Sequence, residues 1–153
     1  MEKSKECMFC RIVDGSAESF KVYEDNQVFA FLDNRPLFDG HVLLVTKRHA
    51  NTLYDLNDKE IAAFFKNVKM ISRAVQTAME SDGIFIAMNI TVGQSVPHVH
   101  MHIIPRKYND GLRWLFWPRH RYPSKEYAQN ICDVIKKEIK KEGRRHEAAE
   151  TKV

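Results

Sequence analysis

A chain of 153 residues with 44% hydrophobic and 29% charged side chains has the length and apolar content for one globular domain with a sizeable core. No apolar stretch approaches the roughly 20 residues that cross a bilayer, and the N-terminal Met-Glu-Lys-Ser-Lys-Glu-Cys lacks the apolar middle of a signal peptide, so the expected location is the cytoplasm. The formal charge of +4 draws heavily on Lys136, Lys137, Lys140, Lys141, Arg144, Arg145 and Lys152, a solvated C-terminal run that argues against nucleic acid as the main partner.

Cys7-Met-Phe-Cys10 opens the patterned part of the chain, and in a reducing compartment this spacing indicates metal or redox chemistry before a disulfide. Residues 20–24 and 27–33 alternate as two strands turned through Asp25-Asn26. A third strand, His41 to Thr46, follows the turn chemistry of Asn34-Arg35-Pro36 and Asp39-Gly40, with Gly40 suited to a positive φ. From Asn57 the period changes: Ile61, Phe64, Phe65, Val68, Ile71, Val75 and Met79 mark an amphipathic helix, with Asn57 and Glu60 at capping-box spacing. Ser81-Asp82-Gly83 ends it before an apolar strand, Ile84 to Ile90. A second helix is expected from Ser124-Lys125-Glu126 to Lys141, with Cys132 in its core face. The pattern predicts an α+β fold: a mainly antiparallel sheet of about five strands with two main helices on one face.

Between the strands and the last helix, residues 94–106 read Gln-Ser-Val-Pro-His-Val-His-Met-His-Ile-Ile-Pro-Arg. The histidines fall at alternate positions of an apolar run bounded by Pro97 and Pro105, and strand geometry puts His98, His100 and His102 on one face and Val99, Met101 and Ile103 on the other. Three imidazoles on one strand suit a zinc site, general acid/base work or nucleophilic attack on phosphorus, and spacing alone leaves these open.

His-x-His-x-His, preceded by Gly-Gln-Ser-Val and followed by Pro-Arg, resembles the histidine triad (HIT) superfamily of nucleotide hydrolases and transferases. The likeness extends to Phe29-Ala-Phe-Leu-Asp33, Gly40-His-Val-Leu-Leu-Val-Thr-Lys-Arg-His49, the intervening helix and Asn89. It implies that His100 is the nucleophile at the α-phosphorus of a nucleotide, oriented by the backbone carbonyl of His98, and that His102 contacts the phosphate. It also implies that Asp33 accepts bonds from ribose hydroxyls, with Phe31, Leu32 and Asn34 around the base; a turn-capping role is the plainer alternative for Asp33. Asn89, Gly93, Gln94 and Ser95 match positions beside the phosphate, although the stretch Asn89 to Gly93 is about two residues shorter than in eukaryotic Hint-type members. His41 matches a common family histidine with a packing or hydrogen-bonding role.

Two thiolates at Cys7 and Cys10 need two further ligands to close a tetrahedral site. Bacterial and archaeal members of the resembled family supply the histidine after Thr-Lys-x and the first triad histidine, here His49 and His98, which implies a structural zinc. The resemblance further implies a homodimer with a continuous sheet, and a substrate-selecting role for the Arg113–Arg121 segment, which concentrates Trp114 and Trp117 among cations. The expected organisation is a single HIT domain over 1–142 and a charged tail over 143–153. The expected function is hydrolysis of nucleoside phosphoramidates or dinucleoside polyphosphates, releasing a nucleoside monophosphate such as AMP. The alternatives are a purine-nucleotide-binding regulatory protein with vestigial activity and an aprataxin-like DNA deadenylase.

Overall fold

A computed structural model describes residues 6–112 and 119–150, with side chains up to Arg145; the Trp114–Trp117 stretch lies outside the described residues. Helix α1 (Met8–Val13) is followed by β1 (Lys21–Glu24), β2 (Val28–Leu32), β3 (Val42–Thr46), α2 (Asp58–Ala78), β4 (Gly83–Ala87), β5 (His100–Arg106) and α3 (Lys125–Glu150). The strands form one antiparallel sheet in the order β1-β2-β3-β5-β4. The expected α+β class and five strands are present.

Local chemistry explains most boundaries. Asp25 Oδ1 accepts the N–H groups of Gln27 and Val28 at 2.7 and 2.8 Å, closing the β1–β2 turn. Gly40 has φ +84°, and a Cβ there would lie 2.6 Å from Met79 Cγ, so conformation and space both require glycine. The α2 capping box is formed in both directions, Glu60 N–H to Asn57 Oδ1 at 3.1 Å and Asn57 N–H to Glu60 Oε2 at 2.9 Å. At the other end the left-handed residue is Glu80 (φ 48°), not Gly83: the Ser81 N–H returns to Gln76 O at 3.0 Å, while Gly83 already belongs to β4.

One sheet face carries Val22, Val28, Ala30, Leu32, Val42, Leu44, Met101 and Ile103 and packs on α2 (Phe64, Val68, Ile71, Val75) and α3 (Ile131, Cys132, Ile135). The other face departs from the expected one-sided cover. Phe29, Phe31, Leu43 and Val45 pack beneath Phe9, Cys10 and Ile12 of α1. With both faces covered, β2 and β3 are buried at every position, which is why they read as continuous apolar runs. Six residues are too few to display a helical period, so α1 was not legible as a helix.

Two further boundaries differ from expectation. α3 continues beyond Lys141 to Glu150 although apolar spacing stops at Ile139. Charged residues of good helix propensity carry it, and the buried Glu142 carboxylate ties the turn to Arg145 (2.6 Å) and to Arg73 of α2 (3.4 Å). Pro105 lies inside β5, opposite Ile84, rather than bounding it. Pairing with β3 ends at Ile103, so Pro105 borders a strand on one side only, where a residue without N–H is accommodated.

Candidate active site and metal-ligand group

Register brings the histidines together. β5 lies against β3 with Val45 opposite His100 and Leu43 opposite His102. His98 precedes the strand, because its N–H bonds Val96 O and that of Val99 bonds Ala50 O. The predicted alternation survives: Val99, Met101 and Ile103 enter the core beneath α2 and α3, while His98 and His100 meet Phe9 on the α1 side.

His100 is 3% exposed, and its Nδ1 lies 2.7 Å from the carbonyl of His98. A carbonyl only accepts, so Nδ1 carries the proton and the lone pair is on Nε2. Burial lowers its pKa, favouring the neutral ring. His102 is fixed through a second histidine. The Leu37 N–H donates to His41 Nδ1 (3.3 Å), which leaves the proton on His41 Nε2 to donate to His102 Nδ1 at 2.9 Å. The proton of His102 is therefore on Nε2. One backbone amide thus sets two tautomers, and burial keeps both rings neutral, with the His102 pKa lowered to about 4 and that of His41 well below its usual value.

A cavity of about 580 Å³, within the size range of small-molecule sites, is lined by His100, His102 and Ser95 together with Phe31, Leu32, Asp33 and Asn34. Asp33 follows β2 and is 3% exposed. Its Oδ1 accepts the Arg35 N–H (2.8 Å), the turn-capping role, while Oδ2 accepts from Arg119 Nη1 (3.0 Å) at the cavity wall. Asn89, Gly93 and Gln94 are not among the lining residues. Asn89 Nδ2 donates to Gly93 O (3.0 Å), closing its own loop. Gln94 Nε2 donates to Asn51 O (2.6 Å) and His98 O (3.3 Å), so it supports the carbonyl that orients His100. Sequence reasoning missed Met8, Phe9 and Ile12, which wall the cavity from α1, and did not single out Arg119. The apolar pair between the two cysteines was the available signal for the first set.

Cys7, Cys10, His49 and His98 offer one ligand atom each, all within 4.8 Å of one another. The Sγ atom of Cys7 lies 3.4 Å from His98 Nδ1, and that of Cys10 lies 3.2 Å from His49 Nδ1 and 3.6 Å from His98 Nδ1. A tetrahedral zinc with sulfur at about 2.3 Å and nitrogen at about 2.0 Å has S···N edges of about 3.5 Å, so the group fits. Both imidazoles turn their other nitrogen to an acceptor, His98 Nε2 to Thr46 O (2.8 Å) and His49 Nε2 to Asn51 Oδ1 (3.0 Å), which leaves each Nδ1 as the ligand atom. Four protein donors would close the shell of a bound zinc and leave no open position for water, the donor set of a structural site. The smaller group Asp33, His41 and His102 is a poor cation site, since Arg119 sits on the carboxylate and Leu37 N–H occupies His41 Nδ1.

Of the remaining histidines and cysteines, Cys132 is buried in the core and His120 is on the surface with Nε2 3.0 Å from Asp39 Oδ1. Among the described residues no helix is long and apolar enough to cross a membrane.

The profile of the HIT domain matches residues 14–109. The chain is 37% identical to "Protein hit" of Bacillus subtilis over 142 residues, covering 91% of this chain and 98% of the relative. It is 38% identical over 109 residues to an adenylylsulfatase of Arabidopsis thaliana, covering 70% of this chain and 55% of that one. Among solved structures, a zinc-bound histidine triad family protein from Mycobacterium smegmatis aligns with a TM-score of 0.80 at 30% identity, covering 91% of this chain and 96% of that one. A histidine triad nucleotide-binding protein from Sulfolobus tokodaii aligns with a TM-score of 0.79 at 32% identity, covering 88% and 93%. With His98 just before β5, His100 and His102 on it, and likeness along most of its length, the chain belongs to the HIT-domain family.

Proposed function

We propose that the chain is a nucleotidyl hydrolase or transferase that cleaves at the α-phosphate of nucleoside phosphoramidates or dinucleoside polyphosphates through His100. The observation that carries this is the His100 Nδ1–His98 O hydrogen bond of 2.7 Å, which leaves Nε2 with its lone pair at the wall of the cavity. Nε2 attacks phosphorus, the bond to the leaving group breaks with its electron pair, and water then cleaves the nucleotidyl-histidine to free a nucleoside monophosphate and restore the imidazole. His102, with its Nε2–H, donates to a phosphoryl oxygen. Asp33 accepts the ribose hydroxyls, and Phe31, Leu32 and Asn34 surround the base. Ser95 serves the phosphate by contact and Gln94 through the His98 carbonyl, while Asn89 and Gly93 act only by closing the loop that carries them. Family membership supports nucleotide hydrolase or transferase activity in general, and the adenylylsulfatase relative supports an adenylyl group as the retained half.

Zinc held by Cys7, Cys10, His49 and His98 pins α1 to the sheet and so completes the cavity wall with Met8 and Phe9. The β4 edge of the sheet, with Ile86 42% exposed, is the surface for the homodimer, and the cytoplasm is the expected compartment. The test is a substrate panel of adenosine phosphoramidate and diadenosine tri- and tetraphosphate. His100→Asn should abolish AMP release and the phosphorus–nitrogen adduct trapped by rapid quench. Full turnover by that variant refutes the mechanism.

A further inference from the structure

Arg119 is a cation set in the wall of the same cavity as His100, His102 and Ser95. Among the described residues, the hydrogen bonds of its guanidinium use Nη1, to Asp33 Oδ2 at 3.0 Å and to the carbonyl of Arg35 at 3.2 Å. One nitrogen is thus anchored while 43% of the side chain stays exposed, which leaves the remaining N–H donors of a rigid fork for a ligand. The other cation lining the cavity, Lys125, is 85% exposed and already paired with Glu18 at 3.2 Å. Among the described residues that line the cavity, Arg119 is therefore the cation whose guanidinium keeps donors turned from its anchor, in the same wall as His100. Its charge acts on both His41 and His102.

We propose that Arg119 is a substrate-binding residue that pairs with non-bridging oxygens of the nucleotide phosphate and makes this site select phosphorylated nucleosides over nucleosides. This rests on the nucleotide reading above and adds to it a residue of this chain's own C-terminal segment. Guanidinium–phosphate pairs are charge-assisted and directional, and the Asp33 anchor holds the fork without consuming it. The reading separates Arg119 from a mere support for Asp33. A support would affect ribose recognition and therefore adenosine and AMP alike, whereas a phosphate ligand affects AMP alone.

The experiment is calorimetric titration of the full zinc-loaded chain with AMP and with adenosine, neither of which has an α-phosphate leaving group to lose. Arg119→Gln should weaken AMP about tenfold or more, the cost of one bond to a charged group, and leave adenosine within about twofold. Arg119→Lys should recover part of the AMP affinity, because charge returns without the fork. An unchanged melting temperature for Arg119→Gln establishes that the fold is intact. Equal losses for both ligands, or no loss for AMP, overturn the proposal while the nucleotide reading stands. Failure of the parent chain to bind AMP overturns both.

Discussion

Replacing His41 by leucine tests the tautomer chain directly. The imidazole is fully buried and makes two hydrogen bonds, accepting from Leu37 N–H at 3.3 Å and donating to His102 Nδ1 at 2.9 Å. Leucine fills a similar volume but answers neither. Each orphaned buried group costs about 1–3 kcal/mol, so the variant should lose about 2–6 kcal/mol, a large part of the 5–15 kcal/mol typical of a domain. Urea unfolding followed by tryptophan fluorescence and far-ultraviolet circular dichroism measures that loss. The functional consequence is separable. With no donor at its Nδ1, His102 is free to hold its proton on either nitrogen, and the Nε2–H proposed to donate to phosphate is no longer enforced. Long-range nitrogen–proton correlation spectra should show His102 as the Nε2–H tautomer in the parent and as a mixture in His41→Leu. A loss below about 1 kcal/mol with the His102 tautomer unchanged refutes the chain as drawn.

The remaining predictions concern pH, metal and backbone. Burial lowers the His102 pKa from 6.5 to about 4, so the unfolded chain binds a proton first as pH falls. The stability from keeping this ring neutral is present above pH 6.5 and should be lost between there and pH 4, by about 3 kcal/mol for this residue, while His102→Gln flattens the slope. A parent stability that does not change from pH 7 to 4.5 refutes it. Elemental analysis should find about one equivalent of zinc, lost in Cys10→Ser with a lower melting temperature and weaker AMP binding, because α1 has no side-chain cap of its own and carries Met8 and Phe9 into the cavity wall. A metal-free protein of unchanged stability refutes the zinc assignment. Glu80→Gly should stabilise by about 1 kcal/mol in urea, since Glu80 pays for a φ of 48° that glycine adopts freely; destabilisation contradicts the role given to that turn.

The histidine alternation, the α2 period with its Asn57–Glu60 cap, the Asp25 turn and the positive φ at Gly40 were all legible in the sequence. Each is decided within a few residues, by the two-residue period of a strand, the 3.6-residue period of a helix, or one side chain reaching its own backbone. Resemblance supplied what period could not, namely that His49, 39 residues from Cys10, shares a site with it and with His98. The tertiary structure decided the rest through long-range contacts. It put α1 on the second face of the sheet, because six residues gain their stability from burial rather than from their own hydrogen bonds. It let the buried Glu142 pairs carry α3 past its apolar pattern. It brought Arg119 to Asp33 across 86 residues of chain, and it let a single amide at Leu37 set the protonation of His41 and His102. A tautomer depends on which partner a ring nitrogen meets in the folded state, and no spacing in the sequence records that partner.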